Sequence, residues 1–163
     1  MFNTGIRSKE ELVEKLTSFQ SNTLITVNFV KPSTKTYRFD VADAEKTCRS
    51  LMRSLTKSCF YHRYRREKVT LEYIAAIEMG NRYHAHILVR RPKGISPAKF
   101  ADQFRKVASN NEFVAKRLGV EFDDIQQRSI QLEPARSSDR LCTYLLKESR
   151  NIENFRLIYE VKH

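Results

Sequence analysis

Two hydrophobic spacings alternate along the chain, and their order predicts the architecture. In "TLITVNFV", Thr23 to Val30, Ile25, Val27 and Phe29 share one side while Thr26 and Asn28 share the other, the two-residue period of a strand, which stops at Lys31-Pro32. From Asp43 to Cys59 the period changes: Ala44, Cys48, Leu51, Met52, Leu55 and Cys59 form one helical stripe, with Lys46, Arg49, Arg53 and Lys57 turned outward. "VTLEYIAAIEM" and "YHAHILVRR" return to strand character and meet at Gly80-Asn81, a hairpin signal. Ser96 as cap and Pro97 in the first turn open a helix through Ser109, with Phe100, Phe104 and Val107 inward. "SIQLEP" predicts another strand, and "DRLCTYLLKES" a last helix capped by Ser137, Ser138 or Asp139. Ahead of all this, Ser8 and Glu11 make a capping box before the short helix "LVEKLTSF".

Without that leading helix the order is β-α-β-β-α-β and then one more helix. It predicts an α+β fold, a ferredoxin-like or RRM-like antiparallel sheet with both crossover helices on one face and the other face open for a site. The 163 residues suit a single domain, with the leading helix in residues 1–20 and the core in residues 23–149.

Composition narrows the partners. A formal net charge of +11 favours a polyanion. No apolar run is long enough for a bilayer, and "MFNTGIRSKEEL" has no secretory signal, so no membrane role is expected. Cys48, Cys59 and Cys142 form no CxxC pair and are expected as free thiols in a reducing compartment.

Two of the four histidines, His84 and His86, fall two apart on one strand and so on one face, where aliphatic residues would pack better. Glu78, on the preceding strand, joins them only in one register. A two-residue Gly80-Asn81 turn would pair Ile77 with His84 and send Glu78 to the wrong side; a loop of three or five residues pairs Glu78 with His84. The odd-length loop is the prediction. Two imidazoles and a carboxylate then offer three lone pairs to a divalent cation, with Thr26 and Asn28 as polar neighbours. On the last helix Tyr144, Lys147 and Glu148 share a face, and an ammonium near a phenol favours the phenolate, a nucleophile.

Together, "TLITVNF", the carboxylate followed by "HAH", and "YLLK" on a late helix resemble the HUH endonucleases, most of all the single-tyrosine replication initiators (Rep proteins) of rolling-circle elements. The resemblance spans Thr23 to Glu148. It implies that His84, His86 and Glu78 hold Mn²⁺ or Mg²⁺, with Glu72 a weaker substitute for Glu78, and that Tyr144 is the nucleophile, assisted by Lys147. Two positions depart from the family's pattern: Ala85 stands where a bulky apolar residue is usual, and Glu148 where many viral members have Asp. The implied activity is nicking and joining of single-stranded DNA at a replication origin through a 5′-phosphotyrosine, with a host helicase and polymerase as further partners, in the cytoplasm of a bacterial or archaeal host or in the host nucleus if the element is a eukaryotic virus.

"FYHRYRREK" interleaves Tyr61 and Tyr64 with Arg63, Arg65 and Arg66, and "VRRPKG" adds Arg90, Arg91 and Lys93, the mixture of rings and cations that binds single strands. Alternatives are a transposase or relaxase of a mobile element, or a non-catalytic nucleic-acid-binding module. The last is disfavoured by a sheet face carrying histidines where an RRM carries aromatics.

Overall fold

A computed structural model of the chain describes residues 9–29, 39–79, 83–115, 130–134 and 155–161. The architecture is α+β, an antiparallel sheet with helices, consistent with the ferredoxin-like class. The elements are α1 (Lys9–Ser18), β1 (Thr23–Asn28), α2 (Val41–Glu67), β2 (Tyr73–Glu78), β3 (His84–Val89), α3 (Pro97–Ser109), α4 (Glu112–Ala115), β4 (Ile130–Pro134) and β5 (Phe155–Glu160). Among the described residues the strands form one sheet in the order β4-β1-β3-β2-β5, every pair antiparallel. The expected final helix, including Cys142, lies outside the described residues. β5 adds residues 155–160 to the sheet, past position 149, where the expected core ends.

Local chemistry explains the boundaries. Asp40 caps α2 by accepting from the Asp43 N–H while the Asp43 carboxylate accepts from the Asp40 N–H. Ser96 accepts from the Lys99 N–H at the start of α3, with Pro97 in its first turn. Pro134 ends β4, an edge strand, where a missing ladder donor costs little.

The main core lies between α2, α3 and one sheet face. Ile25, Val27, Tyr73, Ala75, Ile77, Ala85, Ile87, Val89 and Ile158 meet Cys48, Leu51, Met52, Leu55, Phe100 and Phe104. Phe39 packs on Phe29, Tyr83 and Phe113 and closes this core at the end where β3 begins. Phe104 is fully buried, so Phe104→Ala is expected to cost about 3–5 kcal/mol of unfolding free energy, read from urea denaturation.

The second face is not bare, contrary to the sequence expectation. Leu24, Ile74, Ala76, Leu88 and Leu157 alternate with the core set and are all buried. The residues just after α1 meet the chain where β3 finishes: the Arg90 guanidinium lies 4.6 Å over the Phe19 ring and donates to the Gln20 carbonyl. Thr26, Asn28, Glu78, His84 and His86 gather in the other half of this face.

Candidate metal centre

The β2–β3 ladder decides whether the carboxylate joins the histidines, and it pairs Glu78 directly with His84. Residues 79–83 form the connection, the five-residue option among the predicted odd lengths. On the other side of β3, β1 pairs Thr26 with His86 and Asn28 with His84. Each member of the cluster is therefore set by backbone hydrogen bonding of a central strand.

The side chains converge as the register requires. Ligand atoms of Glu78, His84 and His86 all lie within 4.8 Å of one another. His84 Nε2 sits 2.7 Å from Glu78 Oε2, and the two imidazoles meet edge to face with centroids 5.0 Å apart. The Thr26 hydroxyl is 3.4 Å from His86 Nδ1, which fixes that ring and turns its Nε2 to the opposite side. Glu78 is 8% exposed and His86 3%, so both are buried although they lie in the polar half of this face. The group could hold a metal ion: its donors are two nitrogens and a carboxylate oxygen, close enough to one another to share a single cation.

Compared with known proteins, the chain matches no family model and no curated sequence. Its own geometry therefore carries the functional reading.

Burial, and then the neighbouring His84, lowers the His86 pKa from 6.5 to about 3. The ring is thus a neutral ligand at neutral pH. It also makes stability depend on pH with a definite sign. The folded pKa lies below the unfolded one, so between roughly pH 6.5 and pH 3 the unfolded chain binds a proton that the folded chain rejects. The stability is fully present above that window and is lost as pH falls through it. In EDTA, lowering the pH from about 7 to about 5 is expected to remove about 2 kcal/mol through this group. Urea denaturation of wild type and His86→Gln at both pH values checks it, since the variant lacks this component.

The other sequence-derived residues fall elsewhere. Glu72, the weaker substitute ligand, is at the opposite end of β2, paired with Arg90 at 2.7 Å, so it does not reach the cluster. Arg90 is thereby committed to Glu72, Phe19 and Gln20; Arg91 donates to the Ile95 carbonyl and receives support from Asn22, and only Lys93 of that trio is exposed. Tyr61, Arg63, Tyr64, Arg65 and Arg66 belong to the last turns of α2, which continues to Glu67, past the predicted end at Cys59. They stand far from the cluster. The Leu71 N–H bonds to Thr56 Oγ1 just before β2 begins, whereas Glu78 ends β2, about 20 Å along the strand. α2 also packs on the face opposite the histidines. Tyr144 and Lys147 lie outside the described residues. Cys48 and Cys59 are free thiols; burial raises both, Cys59 to about 11, which leaves them unreactive.

Proposed function

We propose that the protein is a metal-dependent endonuclease and strand transferase of the HUH type that nicks and rejoins single-stranded DNA and initiates rolling-circle replication. The observation that supports this most is the convergence of Glu78, His84 and His86 from adjacent central strands within 4.8 Å. The strand order β4-β1-β3-β2 also suits the β-α-β-β-α-β frame of a ferredoxin-like nuclease domain. The excess of 30 Lys and Arg over 19 Asp and Glu suits a DNA substrate.

In this reading His84, His86 and Glu78 hold Mn²⁺ or Mg²⁺, which polarises a phosphodiester oxygen when bound. Thr26 and the β1–β3 ladder keep His86 aimed, and the carboxylate offsets part of the cation's charge. Tyr144 supplies the nucleophile, and Lys147 stabilises its phenolate. The phenolate oxygen forms a bond to phosphorus as the bond from phosphorus to the 3′ oxygen breaks; the leaving 3′ oxygen takes up a proton. One end of the cut becomes a 5′-phosphotyrosine and the other a 3′-hydroxyl that primes synthesis. Attack by another 3′-hydroxyl reverses the step without ATP.

The test is to incubate the protein with single-stranded oligonucleotides carrying origin-like sequences and Mn²⁺ and to look for a protein–DNA adduct on a denaturing gel. A slow-migrating covalent species that vanishes in EDTA is expected. Its absence over a broad set of sequences and metals would leave a binding module as the better account.

A further inference from the structure

The basic and aromatic end of α2 is built unlike the rest of the helix. At Tyr61 the backbone takes φ 31°, ψ −96°, in the left-handed half of the map that a tyrosine rarely occupies, and the helix axis kinks there. The kink leaves the Tyr61 ring 72% exposed, the one large hydrophobic side chain so displayed among the described residues, with the His62 ring edge-on at 4.4 Å. It also brings Tyr64 back against the earlier turn, where Lys57 Nζ lies 5.6 Å from its ring centroid. The result is a cleft of about 330 Å³ lined by Lys57, Tyr61, His62, Tyr64 and Arg65.

Such a cleft has a restricted chemistry. Its volume is at the lower end for small-molecule sites and accommodates one nucleobase. Three ring systems offer faces for stacking, while an ammonium and a guanidinium stand where a phosphate would pass. Arg63 is neutralised by Glu67 at 2.9 Å, but no ion pair to Lys57 or Arg65 is present among the described residues. Backbone conformations of this kind cluster at functional sites, and here one holds an exposed Tyr61 ring at the cleft. A base inside a duplex has no free face to present to Tyr61 or Tyr64, so an unpaired one is required.

We propose that this cleft is a second DNA-binding site that seats an unpaired nucleotide of single-stranded DNA, remote from the metal centre. It lies past the opposite end of the sheet and on the opposite face, so the nucleotide held there is not the one at the Glu78, His84 and His86 cluster. The cleft anchors a distal segment of the strand and leaves the cluster to another.

Binding of a short fluorescein-labelled oligo(dT) to the full chain in EDTA, followed by anisotropy, tests this. EDTA and an affinity readout make the result independent of whether the metal centre cuts DNA. Tyr61→Ala and Tyr64→Ala are each expected to weaken binding about tenfold, and Tyr61→Phe and Tyr64→Phe to retain it, because stacking needs the ring and not the hydroxyl. Lys57→Gln and Arg65→Gln should each flatten the dependence of log affinity on log salt by about 0.7. Tyr61→Gly should bind as weakly as Tyr61→Ala yet melt no lower than wild type, since glycine relieves the positive φ. Wild-type affinity in both alanine variants, or an equal and tyrosine-dependent affinity for a blunt duplex, would overturn the proposal. So would a Tyr61→Gly protein that melts lower and binds normally, which would mark Tyr61 as structural.

Discussion

Glu78→Gln is expected to weaken Mn²⁺ binding by about 100-fold or more and to abolish metal-dependent cleavage, while leaving the chain folded. The substitution keeps the shape of the side chain and removes the only negative charge of the cluster. Glu78 is 8% exposed beside two imidazoles, so solvent screens little of the charge that it would bring to a cation. Positioning groups around bound metals already contribute about 10- to 100-fold to affinity, and a direct charged ligand contributes more. His84→Ala and His86→Ala should fall in the same range. Because β3 is a central strand whose ladder depends on backbone atoms, their folding is expected to survive. Isothermal titration with Mn²⁺, with circular dichroism of each variant, reads both parts. Affinity within twofold of wild type in all three variants would place the metal elsewhere.

Tyr144→Phe is expected to eliminate the covalent adduct completely, with Mn²⁺ affinity changed less than twofold. In the proposed mechanism, removal of the phenolic oxygen deletes the atom that bonds to phosphorus and none of the proposed metal ligands, so chemistry and metal binding separate. The loss should exceed 1,000-fold, the scale on which removing a covalent nucleophile acts. Lys147→Met is expected to be milder and to depend on pH, since raising the pH ionises the phenol without the ammonium's help. Single-turnover nicking assays over a range of pH distinguish the two. An adduct of undiminished yield in Tyr144→Phe would assign the nucleophile to another residue.

How far these residues could be found from the sequence differed with the range of the interaction that places them. The face of Glu78 followed from parity alone: any odd loop puts it on the side of His84 and His86, and the five-residue connection sets it directly opposite His84. The caps at Ser96 and the stripe from Ala44 to Leu55 were equally local. The cover on the second sheet face was missed although a signal existed. "YIAAI" and "ILV" are nearly continuous apolar runs, the pattern of strands buried on both sides, and the alternating part of each run masked it. β5 was missed for a different reason. A four-strand frame is complete without it, and only its pairing with β2, about 80 residues away in sequence, makes Phe155–Glu160 a strand. The position of "FYHRYRREK" was beyond any local pattern. Helical period could extend α2 past Cys59, but where its end stands relative to the histidines is set by the packing of α2 on the far face.

The most direct measurement is a crystal structure of the protein soaked with Mn²⁺, read by anomalous scattering. A single strong peak is expected about 2.0–2.3 Å from His84 Nε2, His86 Nε2 and a Glu78 carboxylate oxygen, with the Tyr144 hydroxyl turned toward it. Anomalous density elsewhere, with His84 Nε2 still against Glu78 Oε2, or a Tyr144 ring on the core side of the sheet, would contradict the account.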